Sequence, residues 1–281
     1  MPVNTYDSPA SVASGGVAFD PLAGGTTTIS ASAPGFSNFY SGASVSVTVT
    51  KPGMTLSDIY GGDYRVGGGL QIPFRLTLGA GNHGGVTVRV TSSDTLRLLI
   101  SSNATTSGTA FIDVYIPDGQ TYKDFYIQGQ SGNVGTVTLT ATNSNFTTGS
   151  RNVEVVQGVL QILNLSTSIA TSAVDDPFQV RTGYLHSNGT TFRYAPVSGA
   201  GPLTVTLTSS DAAVGQLKTY MVIGSSVTIG LPINTYDSPN SVESGGVAFD
   251  PLRQGTTTIA ASATGFYNAY SGASVLVTVT P

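Results

Sequence analysis

Residues Val3 to Thr50 return at Ile233 to Thr280, with 38 of the 48 positions identical at a constant offset of 230 and no gap. Self-similarity at a fixed period marks an array of structural units. A period this long is too great for a solenoid and suits two domains of ordinary size. The chain therefore reads as a window on a longer tandem array, holding one full period and a surplus fragment.

Within the period, apolar residues alternate with polar ones, and no segment sustains a helical stripe. Val86, Val88 and Val90 share one face of VTVRVTSSD, and Val137, Leu139 and Ala141 share one face of TVTLTAT. Val153 and Val155 do the same in RNVEVV, as do Leu203, Val205 and Leu207, then Val227, Ile229 and Leu231, then Val275, Val277 and Val279. Gly, Pro, Asn, Asp and Ser cluster between these runs, as turns require. Many short strands at such spacing predict a β-sandwich or barrel.

A weaker repeat sets the unit boundaries. VTVRVTSSD at 86–94 matches LTVTLTSSD at 203–211, and the segment 124–146 matches 247–266. These matches predict one complete unit at 53–157 and another at 158–281, with 1–52 as the C-terminal part of a third. The junction Val155-Val156-Gln157-Gly158-Val159 runs almost straight from one unit into the next. So short a linker restricts interdomain freedom and predicts an elongated, semi-rigid rod.

The TSSD turn after an alternating strand, the GTVTLTA strand and the terminal VTVT strand resemble the bacterial immunoglobulin-like repeats of large surface and adhesin proteins. The resemblance implies an all-β chain of tandem immunoglobulin-like Greek-key β-sandwich domains in an elongated array. It also implies an extracellular or cell-surface stalk, adhesin or filament module. The fold alone does not choose among those roles.

Composition narrows the chemistry. Cysteine is absent, so disulfides and thiolate metal sites are excluded and each core rests on burial alone. Charged residues make up 9% of the chain, lysine being only Lys51, Lys123 and Lys218 and glutamate only Glu154 and Glu243. With a net charge of −4 and no basic cluster, nothing neutralises a phosphate backbone, so no nucleic-acid partner is expected. No apolar run is long enough to span a bilayer, and MPVNTYDSPA lacks the regions of a signal peptide.

Catalysis finds few candidates. The two histidines, His83 and His186, stand in GNHGG and LHSNG, apparent loops, and no nucleophile elbow or spaced carboxylate pair accompanies them. The chain is accordingly expected not to be an enzyme. GGDYRVGGG at 61–69 lacks the Gly-Lys-Ser/Thr ending of a phosphate loop and reads as a flexible lead-in to the first full unit. Calcium is the one cofactor to weigh, through Asp58 and Asp63 in one cluster and Asp175 and Asp176 in another. Turn aspartates account for both clusters without metal, and no other cofactor is called for.

Tyrosines in the repeated NTYDSP (Asn4 to Pro9 and Asn234 to Pro239) and in GFYNAY suit adhesive contact, which makes Tyr236, Tyr267 and Tyr270 candidates for binding a glycan or host surface. The bland alternative is that they are turn residues and core-edge rings. Finally, residues 1–52 hold too few strands for a sandwich. They are expected to dock on another copy of the chain or to gain strands from adjacent repeats.

Overall fold

The structure is a computed structural model, and it describes residues 5–21, 24–37 and 41–281. Asn4 of the first NTYDSP lies outside the described residues. The chain forms two compact units, one holding the N-terminal 52 residues with 144–147 and the other holding the rest.

In the smaller unit, β1 (Gly25–Ser30) pairs antiparallel with β2 (Ser44–Val49). The larger unit contains two β-sandwiches. The first is built from β3 (Met54–Asp58), β4 (Arg65–Gly67), β5 (Gln71–Leu78), β6 (Val86–Ser92), β7 (Leu98–Ser101), β8 (Phe111–Ile116), β9 (Tyr122–Gly129), β10 (Gly135–Thr142) and β11 (Gly149–Val156). The second is built from β12 (Gly158–Leu163), β13 (Ser168–Ala170), β14 (Asp176–Leu185), β15 (Phe192–Tyr194), β16 (Leu203–Ser209), β17 (Gly215–Lys218), β18 (Ile223–Gly224), β19 (Ser226–Leu231), β20 (Val247–Pro251), β21 (Gly255–Ser262) and β22 (Ser274–Thr280).

Both sandwiches share one topology. The first stacks β3-β5-β9-β7 on β4-β11-β10-β6-β8. The second stacks β12-β14-β20-β17 on β13-β22-β21-β16-β19, with β15 and β18 added. In the first, β5 pairs with β9 and β6 with β10, while the connections β5 to β6 and β9 to β10 both cross between sheets. This interlocked pair is the Greek-key arrangement of immunoglobulin-like sandwiches. The alternating apolar residues face inward as the pattern requires: Val88, Val90, Leu139, Val153, Val205, Ile229 and Val277 are all buried. Phe74 and Phe125 pack at 5.9 Å in the first core, and Phe178 and Phe249 are buried in the second.

The 61–69 segment is not a flexible lead-in. It contains β4, which pairs parallel with β11, and Gly68 and Gly69 donate to Val156 O at 2.7 Å and Gly129 O at 2.8 Å. Glycine is needed here because backbones touch: a Cβ on Gly129 would lie 2.5 Å from Gly67 O.

The near-copies show what the smaller unit lacks. The β1–β2 register, Gly25 opposite Val49 through Ile29 opposite Val45, repeats that of β21–β22, Gly255 opposite Val279 through Ile259 opposite Val275. The turn before it repeats as well: Gly16 N donates to Ser11 O at 2.8 Å, as Gly246 N does to Ser241 O. Yet 17–21, the counterpart of β20, is not a strand. Val17, Phe19, Ile29 and Phe36 are 93%, 45%, 40% and 75% exposed, whereas Val247, Phe249, Ile259 and Phe266 are at most 5% exposed.

Candidate functional site at the junction of the two sandwiches

What makes the second sandwich unlike the first is two longer connections. The stretch 186–202 joins β14 to β16 where 79–85 suffices between β5 and β6, and 232–246 joins β19 to β20 where 117–121 suffices between β8 and β9. Both longer connections fold back along β14.

The first turns at Asn188, whose Oδ1 accepts from Thr190 N and Thr191 N at 3.0 and 2.9 Å. This Asx-type turn sends β15 back antiparallel to the end of β14. Gly183, opposite Tyr194, has no room for a side chain: a Cβ there would lie 2.3 Å from Arg193 O and 2.6 Å from the Phe192 ring.

The second connection carries NTYDSP, and each of its polar residues has work to do. Asn234 takes a positive φ of 57°, a conformation that asparagine tolerates. The backbone carbonyl of Tyr236 accepts from Thr182 N at 2.8 Å. Asp237 accepts from Arg181 Nε and Nη2, at 2.6 and 2.7 Å, and holds that guanidinium in its charged form. Ser238, buried, accepts from Val180 N at 2.9 Å through its hydroxyl.

These loops seat the second sandwich on the first. Gln71 N donates to Pro196 O at 2.9 Å, and Ser198 N donates to Gly69 O at 3.0 Å, so Leu70 and Val197 form an antiparallel bridge. At the centre lies the fully buried Gln71 side chain. Its Nε2 donates to Ala104 O at 2.7 Å and Asn234 Oδ1 at 3.3 Å. Its Oε1 accepts from Gln128 Nε2 at 3.1 Å and Gly199 N at 3.2 Å. All four hydrogen-bonding positions of the amide are filled, two of them from the second sandwich. Gly199 stands so close that a Cβ would lie 2.3 Å from Thr106 O. On the other side Phe266 is buried, with its ring against Gly158 and Gly69, and Ser131 Oγ donates to Thr264 O at 3.1 Å.

Beside this seam opens a cleft of about 490 Å³. The first sandwich contributes Tyr60, Pro73 and Tyr126, and the second contributes Phe192, Arg193, Tyr194 and Tyr236. The Tyr194 and Tyr236 rings lie 5.0 Å apart with the Arg181 guanidinium within 6 Å of both. In the cleft lining, burial, opposed by the Arg193 charge and helped by the Asp58 and Asp63 charges, pushes the Tyr184 hydroxyl up to about 12.

The three tyrosines singled out by sequence do not make one site. Tyr236 lines the cleft. Tyr270 stacks on Phe192 with centroids 5.8 Å apart, and Tyr267 borders a separate depression with Arg65, Gln157 and Leu185. Tyr60, Tyr126, Phe192 and Tyr194 escaped sequence reading. The signal was the aromatic-rich YLHSNGTTFRY at 184–194, which has no counterpart in the first unit.

The aspartates are also divided among other tasks. Asp58 Oδ1 accepts from Tyr60 N at 2.8 Å, and Asp63 Oδ1 lies 3.3 Å from His186 Nε2. The Oδ2 atoms of both are buried without a protein hydrogen-bond partner. Asp175 pairs with Lys218 at 2.6 Å, and Asp176 accepts from Ser166 N at 2.8 Å. Among the described residues no three His, Cys, Asp or Glu side chains gather as a metal centre. His83 sits in the β5–β6 loop, with its Nε2 2.9 Å from Gln120 O, and His186 in the β14–β15 turn.

No family profile matches the chain, and no curated protein matches it. Among solved structures, the chain is similar to a red sea bream transglutaminase, with 12% identity and a TM-score of 0.25, over 83% of this chain and 32% of that one. It is also similar to the C-terminal 282-residue fragment of intimin, solved in complex with the intimin-binding domain of its translocated receptor, with 16% identity and a TM-score of 0.24, over 84% and 64% of the two chains. The chain thus spans about a third of one and just under two thirds of the other. At these scores the likeness carries no argument about activity. Among the described residues, no helix is long and apolar enough to cross a membrane.

Proposed function

We propose that this chain is a structural repeat module of a bacterial extracellular stalk, adhesin or filament, built from immunoglobulin-like sandwiches fused in unlike pairs. The observation that carries the reading is the saturated Gln71 amide, which locks the second sandwich to the first through Asn234 and Gly199. A buried polar network with every position filled favours one relative orientation over its neighbours. A spacer that must hold a fixed reach needs that property. The scarcity of lysine suits an exposed chain, since it leaves few sites for trypsin-like cleavage. Small-angle scattering of the protein tests the reading: a single fixed distance between sandwiches is expected. A broad distribution of distances would count against the spacer role.

A second reading is favoured by the cleft beside the seam. Tyr194 and Tyr236, tilted at 45° to each other, with Arg193 and Asn234 beside them, offer sugar rings apolar faces and polar groups for hydroxyls. Screening immobilised glycans with the protein and with Tyr194→Ala tests it. A glycan retained by the parent protein and lost by the variant would favour a glycan-binding module.

A further inference from the structure

The apolar surface carried by Val17, Phe19, Ile29 and Phe36 fits a definite partner. We propose that it is completed by a second copy of the segment Gly158–Leu231, joined directly ahead of it in one polypeptide. The proposal rests on the structural-repeat reading above and names the surface and register through which one period meets the next.

The argument comes from the near-copy. In the second sandwich, β20 lies between β14 and β17 in one sheet and β21 and β22 lie between β16 and β13 in the other, with Val247, Phe249, Ile259 and Val277 buried in the core. Val17, Phe19, Ile29 and Val47 occupy the same positions in the smaller unit, with the hairpin in the same register and the preceding turn already formed. The hairpin and the turn are therefore already shaped, while 17–21 lacks the two strands that would pair it. Complementarity reaches the polar contacts as well: Tyr6, Asp7 and Ser8 repeat Tyr236, Asp237 and Ser238, which bind Thr182, Arg181 and Val180.

Transfer of the observed pairings fixes the register. Phe178 faces Val247, Leu217 faces Phe249 and Ser209 faces Ile259. In the added copy the same three residues would face Val17, Phe19 and Ile29. A neighbouring chain is a poorer partner. Its own Gly158–Leu231 is already covered by its own β20 to β22, so exchange between chains would bare as many apolar residues as it covers.

The test extends the protein with a second copy of Gly158–Pro232 fused ahead of Val3 and follows hydrogen exchange at Thr26–Ser30 and Val45–Val49. Exchange there is expected to slow at least about a hundredfold relative to the unextended chain. Because the chain has no cysteine, Thr208→Cys in the added copy and Ser30→Cys, outer-face neighbours by the Thr208–Ala260 pairing, should also join as the only disulfide.

Unchanged exchange in the extended protein would overturn the proposal. So would slowing that persists when Val205 and Leu207 of the added copy become Asp. Slowing that grows with concentration in the unextended chain would replace the covalently joined segment with a second molecule. None of these outcomes bears on the Gln71 seam, so the spacer reading and this proposal can fail separately.

Discussion

Replacing Gln71 with alanine should damage the protein far more than its modest size suggests. The substitution deprives the buried Gln128 Nε2 of a partner, and with it Ala104 O, Asn234 Oδ1 and Gly199 N at the partly exposed edge of the seam. A buried polar group left unpaired costs about 1–3 kcal/mol. Members of one network do not add fully, Gln128 keeps Thr106 O and Gly108 N, and the partly exposed groups regain water, so the loss should come to about 2–4 kcal/mol. For a unit of this size, that lowers the melting temperature by roughly 10 °C. Denaturant unfolding of Gln71→Ala gives the free energy directly. Adding Asn234→Gly, which keeps the positive φ and removes the amide, should cost less in the Gln71→Ala background than alone. A Gln71→Ala variant within 1 kcal/mol of the parent, or strict additivity with Asn234→Gly, would refute the view that this amide locks the sandwiches.

Gly158→Ala should destabilise by about 1–3 kcal/mol through overpacking, since its Cβ would lie 2.5 Å from the Phe266 ring. Gly53→Ala, whose Cβ meets open space, should change little, and thermal melts compare the two. Burial first, then the Asp175 charge, raise the Asp250 carboxyl above its ordinary value, so the folded state binds that proton more tightly than the unfolded one. Stability should therefore fall as pH rises from the usual aspartate range through the raised value, and Asp250→Asn should stabilise at pH 7 and lose that advantage at pH 3. Because the four candidate calcium aspartates are split between His186, Lys218 and backbone amides, a chelator should leave the melting temperature unchanged. A clear drop would place a cation on the open Oδ2 atoms of Asp58 and Asp63.

The strands and their inward faces were legible because alternation is a local property: Val86, Val88 and Val90 announce their burial wherever the partner strand comes from. The smaller unit shows where locality ends. Its turn at 9–16 and its hairpin register match the full copy, since both depend on bonds within the segment. Its counterpart of β20 does not form, because that strand takes its neighbours from β14 and β17. The seam was illegible for the same reason. Gln71, Gln128 and Asn234 are ordinary polar residues in the sequence, and only the folded backbone brings them together over 163 positions. The glycines at 67–69 misled because their freedom in isolation is the property that lets two backbones touch once packed.

The parallel edge strands carry a mechanical consequence. In each sandwich a short early strand runs parallel to the last one, β4 beside β11 and β13 beside β22. If the ends of such a unit are pulled apart, the two strands of this pair slide along each other in opposite directions. The slanted bonds of the pair then carry the load together and must break at once, whereas a hairpin pulled at its open end would surrender them in turn. Each sandwich thus has a force-bearing clasp between its second strand and its last, and Gln157, the single residue between β11 and β12, passes tension from the first clasp into β12, one strand ahead of the second.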